Sequence, residues 1–273
     1  MPRPAEAGTE PDRDEDHLDE VVLITDRGIQ HTRNEDAGAA GTVDGAPGMR
    51  AIAAAVCDGV STSAEGQNAA RAASVAGVDA MVNALAASRD LTSVMMAGLA
   101  DASRAAAEAK SGGDDSLPAS SCTYTAAVVV TVGDDAHIAV ANIGDSRVYW
   151  VPDQPAPPLR LTVDNTLAQD LITGGIPADS PAVERGAHTL TRWFGADADQ
   201  HPLFDEADAS TMTTGDRGLV VLCSDGLHNY LPEASDIAQF CHGATPTDAA
   251  RAMVDYALSA GGHDNITVIV IPV

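Results

Sequence analysis

Two apolar runs, residues 123–132 and 137–143, are separated by only four residues, GDDA. A connection this short can only reverse the chain, because parallel neighbours need a crossover of a dozen or more residues. The chain therefore contains an antiparallel hairpin. Further strand-length runs lie at 21–25, 51–57, 147–151, 219–223 and 266–271, each bounded by Gly, Asp or Pro. Between the second and third of these strands lies an Ala-rich block, 64–110, poor in Gly and Pro, in which Asp90 or Thr92 caps a second helix. Two consecutive helices without a strand between them exclude an alternating βαβ order and point to a layered α+β fold. Residues 233–241 and 247–260 read as two more helices, the second capped by Thr245 or Thr247.

Such a fold needs a core, and 45% apolar residues in 273 supply one large domain. Aromatics are only 3%, so Ala, Val, Leu and Ile must fill it. Lys110 is the single lysine, and with the Ala, Gly and Asp bias this is the usage of a high-GC bacterial genome. The net charge of -25 repels nucleic-acid phosphates and anionic lipid, so neither is expected as a partner. No segment approaches a membrane span, and the N-terminus lacks the basic-then-apolar order of a secretion signal. Cys57, Cys122, Cys223 and Cys241 form no CxxC pair and read as reduced core thiols of a cytoplasmic monomer. Residues 1–20 are acidic and Pro-rich and read as a disordered tail ahead of a domain spanning 21–273. Residues 152–158 form a Pro-rich loop. Residues 173–212 look irregular, too long for a passive connection and so functional or mobile.

The chemistry gathers at strand ends. Asp36 follows the first strand in QHTRNEDA, Asp58 stands in VCDG, Asp225 in CSDG and Asp264 in GGHDN before the last strand. An isolated Asp-Gly is usually a turn. Two after apolar strands, with NED and HDN, can instead converge on one sheet edge, where carboxylates repel unless a cation lies between them. Oxygen ligands suit Mg²⁺ or Mn²⁺, and no His/Cys spacing suits zinc. Gly59 and Gly226 let the backbone turn sharply after their aspartates.

The ordered set GIQHTRNEDA, VCDGV, SCTYTAAVVV, VANIGDSRVYW, LTVDNTLAQDLITGG, HTLTRWFG, TTGDRGLVVLCSDGL and GGHDNITVIVI resembles the metal-dependent type-2C protein serine/threonine phosphatases (PPM family), bacterial members above all. The resemblance covers residues 21–273 and implies a four-layer α-β-β-α sandwich, two antiparallel sheets face to face with helices outside. It implies two Mn²⁺ or Mg²⁺ ions between the sheets and a weaker third. By that likeness Asp58 bridges two metals, the Gly59 carbonyl serves one, and Asp225 and Asp264 serve the other. Asp36, with Glu35 beside it, lies at or just behind the Gly59 metal, and Asp145 of GDSR helps hold the third. Asp58, Asp225 and Asp264 would then carry catalysis, in which a water activated between the metals attacks phosphoserine or phosphothreonine. The partners implied are phosphoproteins and a cognate Ser/Thr kinase whose action is opposed.

Departures from the family pattern keep an alternative open: a catalytically weak phosphatase-like module that regulates or binds phosphoproteins. A Ca²⁺ or Mg²⁺ storage module would need EF-hand spacing, which is absent. Where many relatives place a phosphate-binding Arg, this chain has His31, which cannot make a bidentate clamp. His31, or Arg33 two residues on, is expected to contact the phosphate. Val60 follows the DG pair and cannot act as an acid, so leaving-group protonation falls to metal-bound or bulk water. Ser61 and Ser63 are expected to cap the first helix. Asn165, His228 and Asn229 replace other family residues and are expected to bear on substrate fit. His188, His201 and His242 read as ordinary loop or surface histidines, and His263 as a neighbour of the site. Trp193 and Phe194 read as packing beneath the 173–212 region.

Overall fold

The computed structural model describes residues 13–45, 49–60, 65–109, 120–153, 156–196 and 204–273. In chain order the strands are β1 (Arg13–Leu18), β2 (Val21–Asp26), β3 (Ala37–Asp44), β4 (Met49–Cys57), β5 (Ser121–Cys122), β6 (Tyr124–Val132), β7 (Asp135–Ile143), β8 (Arg147–Pro152), β9 (Leu159–Arg160), β10 (Phe194–Gly195), β11 (Ala209–Thr214), β12 (Gly218–Cys223) and β13 (Ile266–Pro272). The helices are α1 (Gly66–Ala86), α2 (Leu91–Glu108), α3 (Leu167–Thr173), α4 (Pro181–Gly186), α5 (Asp225–His228), α6 (Ala234–Cys241) and α7 (Pro246–Ser259). One sheet runs β1-β2-β13-β12-β8-β9 and the other β11-β7-β6-β4-β3; every pairing is antiparallel.

The central strands read as unbroken apolar runs because both faces are covered. Side chains alternate across a strand. In β4, Ile52, Ala54 and Val56 meet the facing sheet, while Ala51, Ala53, Ala55 and Cys57 meet α1 and α2. In β2, Val22 and Ile24 likewise turn toward α6 and α7, and Val21 and Leu23 toward the other sheet. Three apolar clusters in four layers result, which is the sandwich expected from the sequence.

Capping follows local chemistry. Asp90 accepts from the Ser93 N–H at the start of α2, and Thr245 from the Asp248 N–H ahead of Pro246 in α7. All four cysteines are buried and free. No helix among the described residues is long and apolar enough to cross a membrane.

Several expectations need correction. Residues 1–20 are not a tail throughout. Arg13–Leu18 pairs with β2 in full register, and residues 1–12 lie outside the described residues. Helix α1 has Glu65 at its N-cap in a left-handed conformation, with no side-chain cap; Ser61 and Ser63, expected as caps, lie outside the described residues. Within 173–212 the described residues, 173–196 and 204–212, carry regular elements. Ser180 caps α4 with Pro181 behind it, β10 pairs with β5, and β11 extends the second sheet.

Candidate active site

The antiparallel order explains why the aspartates meet. The C-terminal ends of β2, β4, β7 and β12 and the N-terminal ends of β3, β6, β8 and β13 fall at one end of the sandwich, as the pairs Ala37↔Cys57, Tyr124↔Ile143, Cys223↔Arg147 and Ile266↔Asp26 show. Asp36, Asp58, Asp145, Asp225 and Asp264 all lie just beyond those ends. The loops carrying Asp36 and Asp145 also cross from one sheet to the other there.

A cavity of about 950 Å³ opens at this end, with Glu35, Asp58, Asp145, Asp225 and Asp264 in its wall beside Gly59. Asp36 stands behind it, buried, with Oδ2 accepting from the Ser224 hydroxyl at 2.7 Å. Burial pushes the Asp36 carboxyl up to about 7, and Asp225 and Asp264 push the same way. Burial and then Asp225 lift Asp145 to about 7. Asp58 is driven well above the carboxylate range by burial and by Asp36 and Asp225. Burial and Asp264 raise Asp225, which lies within hydrogen-bonding reach of Asp58.

Crowding of this kind is unfavourable without positive charge. The buried Asp36 Oδ1 and Asp225 Oδ1 also lack any hydrogen-bond partner among the described residues. Orphaned carboxylate oxygens in such a cluster suit a hard divalent cation. The fit is to a shared cavity wall, since no three His, Cys, Asp or Glu side chains among the described residues close on one point as a finished shell.

The surrounding backbone is held tightly. A Cβ on Gly59 would come within 2.6 Å of both the Glu35 carbonyl oxygen and the Gly66 carbonyl carbon; one on Gly226 would reach 2.0 Å from the Asn265 oxygen. These glycines therefore serve close approach between site loops. Thr123 Oγ1 accepts from the Asp58 N–H at 2.9 Å. Buried His228 donates from Nε2 to the Asp145 carbonyl at 2.9 Å, neutral because burial and then Arg147 hold its pKa well below the usual imidazole value. Asn229 donates to Asp225 Oδ2 at 3.3 Å, and Asn165 accepts from the Gly144 N–H at 2.9 Å. These three residues position the loops of Asp145 and Asp225, and Asn229 alone of them also lines the cavity. The sequence reading had given them to substrate fit.

His31 and Arg33, expected to contact the phosphate, are each paired with a carboxylate of the cavity wall. His31 Nε2 lies 3.2 Å from Asp264 Oδ1, and Arg33 Nη2 lies 2.7 Å from Glu35 Oε1; neither residue lines the cavity. The cavity wall instead includes His188, Thr189, Leu190 and Trp193 from the segment between α4 and β10. His188 and Trp193 had been read as surface and packing residues. Phe194 does pack, buried with its ring centroid 5.8 Å from that of Tyr124. Asn265, Ser224 and Thr123 carried no role in the sequence reading. Their one local signal is that each adjoins a site loop.

The protein phosphatase 2C family model matches residues 25–256. The serine/threonine phosphatase stp of Listeria innocua is 29% identical over 145 residues, 53% of this chain and 55% of that protein. The phosphatase PstP of Mycobacterium tuberculosis is 29% identical over 135 residues, 49% of this chain and 24% of that protein. The chain thus spans about half the length, or less, of these curated relatives. Among solved structures, the S. agalactiae serine/threonine phosphatase shares 26% identity and a TM-score of 0.65, covering 92% of this chain and 97% of that one. The PstP catalytic domain, crystallised with two manganese ions, shares the fold at 24% identity and a TM-score of 0.62, covering 92% and 96%. The family match takes in Asp36, Asp58, Asp145 and Asp225 together with the strands that present them, and on that span the chain belongs to the protein phosphatase 2C family.

Proposed function

We propose that this domain hydrolyses phosphoserine and phosphothreonine in proteins with Mn²⁺ or Mg²⁺, opposing a Ser/Thr kinase in the cytoplasm. The carrying observation is the cavity wall of Asp58, Asp145, Asp225 and Asp264, whose repulsion bound cations would relieve. Asp58, Asp225, Asp264 and the Gly59 carbonyl are the groups that would hold two ions, with Asp36 behind them and Asp145 toward a third. When bound, the ions supply positive charge for the phosphoryl oxygens and lower the pKa of water. The remaining work falls to the chain's own groups. Ser224 fixes the Asp36 carboxylate, and the Asp58–Thr123 backbone pair fixes the turn after β4. The family likeness and the manganese found in the PstP relative agree with this reading.

Hydrolysis of p-nitrophenyl phosphate and a phosphothreonine peptide, with Mn²⁺ and with chelator, tests it. Turnover should depend on Mn²⁺ and fall at least a hundredfold in Asp58→Ala and Asp225→Ala. Phosphopeptide binding without turnover in the wild type would favour the regulatory module instead.

A further inference from the structure

A phosphate entering this cavity meets five carboxylates, Glu35, Asp58, Asp145, Asp225 and Asp264, and needs hydrogen-bond donors of its own. Among the described residues that line the cavity there is no Arg or Lys, and the only imidazoles are His188 and His263. His31 and Arg33, on the β2–β3 loop, do not line the cavity, and each is already paired with one of its wall carboxylates, Asp264 and Glu35. The His263 ring lies tilted against Tyr230 with centroids 5.9 Å apart, the His263 backbone N–H donates to the Tyr230 hydroxyl at 3.0 Å, and the ring Nε2 packs beside Gly261.

We propose that His188 is the residue of this chain that contacts the substrate phosphoryl group, so that phosphate recognition sits on the α4–β10 segment and not on the β2–β3 loop. The proposal rests on the hydrolase reading above and adds the residue that grips the substrate. His188 follows α4 in a turn whose backbone is pinned twice: Thr189 N–H donates to Gly186 O at 3.2 Å, and Leu167 N–H to Thr189 O at 2.8 Å. The backbone is fixed while the side chain stays exposed at the cavity. An imidazole has a ring N–H to donate in either tautomer. Leu190 and Trp193 continue the same wall as an apolar surface for the residue bearing the phosphate.

The test is calorimetric titration of inorganic phosphate into the Mn²⁺-loaded protein, for wild type, His188→Ala, His188→Gln and Arg185→Ala. His188→Ala should weaken phosphate about tenfold or more. His188→Gln keeps an N–H donor and should stay within about threefold of wild type. Arg185→Ala removes a cation from the same segment but outside the cavity and should change nothing. The KM for a phosphothreonine peptide should follow the same order, with kcat changing less. The assignment is overturned if the wild type does not bind phosphate, if His188→Ala binds it as tightly as wild type, or if Arg185→Ala loses as much. Turnover keeps the two readings apart. A wild type that binds phosphate without hydrolysing p-nitrophenyl phosphate sinks the hydrolase reading alone. An active wild type with unaffected His188→Ala sinks His188 alone.

Discussion

Asn265 shows how much one side chain can organise. It is buried, accepts from the Glu35 N–H at 2.7 Å, and donates to the carbonyls of Arg27 and Arg33 at 2.7 and 3.1 Å. The whole loop bearing Glu35 and Asp36 is thereby clipped to the start of β13. Asn265→Ala leaves three backbone groups without their partner and should cost roughly 2–4 kcal/mol in urea unfolding. An unchanged midpoint would mean the loop is held elsewhere. Tyr124 is the opposite case. Its hydroxyl is buried between Gly77 and Gly98 and has no hydrogen-bond partner among the described residues. Tyr124→Phe keeps the ring and removes the orphan, so we expect stability to rise by about 1 kcal/mol; a loss of that size would show the hydroxyl is satisfied. At this scale the aspartates were legible in the sequence, because a carboxylate after an apolar strand is a local signal. Asn265, and the place of His188 in the cavity wall, were not, because they depend on residues far along the chain. The partner of His31, Asp264, is visible only in the fold.

Among the elements, the central strands announced themselves by apolar runs and the edges did not. β3, AGAAGTVD, and β11, ASTMTT, are built from small and polar residues, and each lies at an edge of the second sheet. Ala40 and Met212 face the core between the sheets and Ala39, Val43 and Ala209 the helix side, but small and partly exposed side chains leave no apolar run to read. β1, RDEDHL, is less legible still, since its acidity reads as disorder. Its backbone ladder with β2 is reinforced by charge. Arg251 on α7 grips Glu15 through Nε–Oε2 at 2.9 Å and Nη2–Oε1 at 2.7 Å, and Arg13 reaches Asp26 and Asp255. The hydrogen bonds from Arg251 and then His17 lower the Glu15 carboxyl to about 2. A depressed folded-state pKa adds stability that is present above the unfolded value and is lost as pH falls through that value toward 2. The difference between wild type and Glu15→Gln should therefore be full at pH 7, shrink below pH about 4.5 and vanish near pH 2. Hydrogen exchange of the β1 amides is the sensitive readout, because a surface pair contributes little to global stability. A difference independent of pH would remove the carboxylate from the account.

For the molecule as a whole, a net charge of -25 makes one end of the sandwich its electrostatic weak point. The buried carboxylates there raise one another's pKa, so each charge added without a counterion works against folding. Ion binding must then act as a structural term as well as a chemical one, since a ligand at one hundred times its Kd adds about 2.7 kcal/mol to the folded state. Mn²⁺ should raise the melting temperature of chelator-treated protein at constant ionic strength by several degrees, beyond what Na⁺ at the same ionic strength gives by screening. Asp145→Asn separates the two contributions because its sign should reverse. In chelator at pH 8 it removes a strained like charge whose pKa stands at about 7, and should stabilise the protein by roughly 1–3 kcal/mol. In saturating Mn²⁺ it removes a candidate metal oxygen, so the metal-induced rise in melting temperature should shrink. Scanning calorimetry of both proteins under both conditions gives the four values. If Asp145→Asn destabilises the chelated protein, crowding at this cavity is relieved by some arrangement within the chain itself, and the argument for cations there loses its electrostatic half.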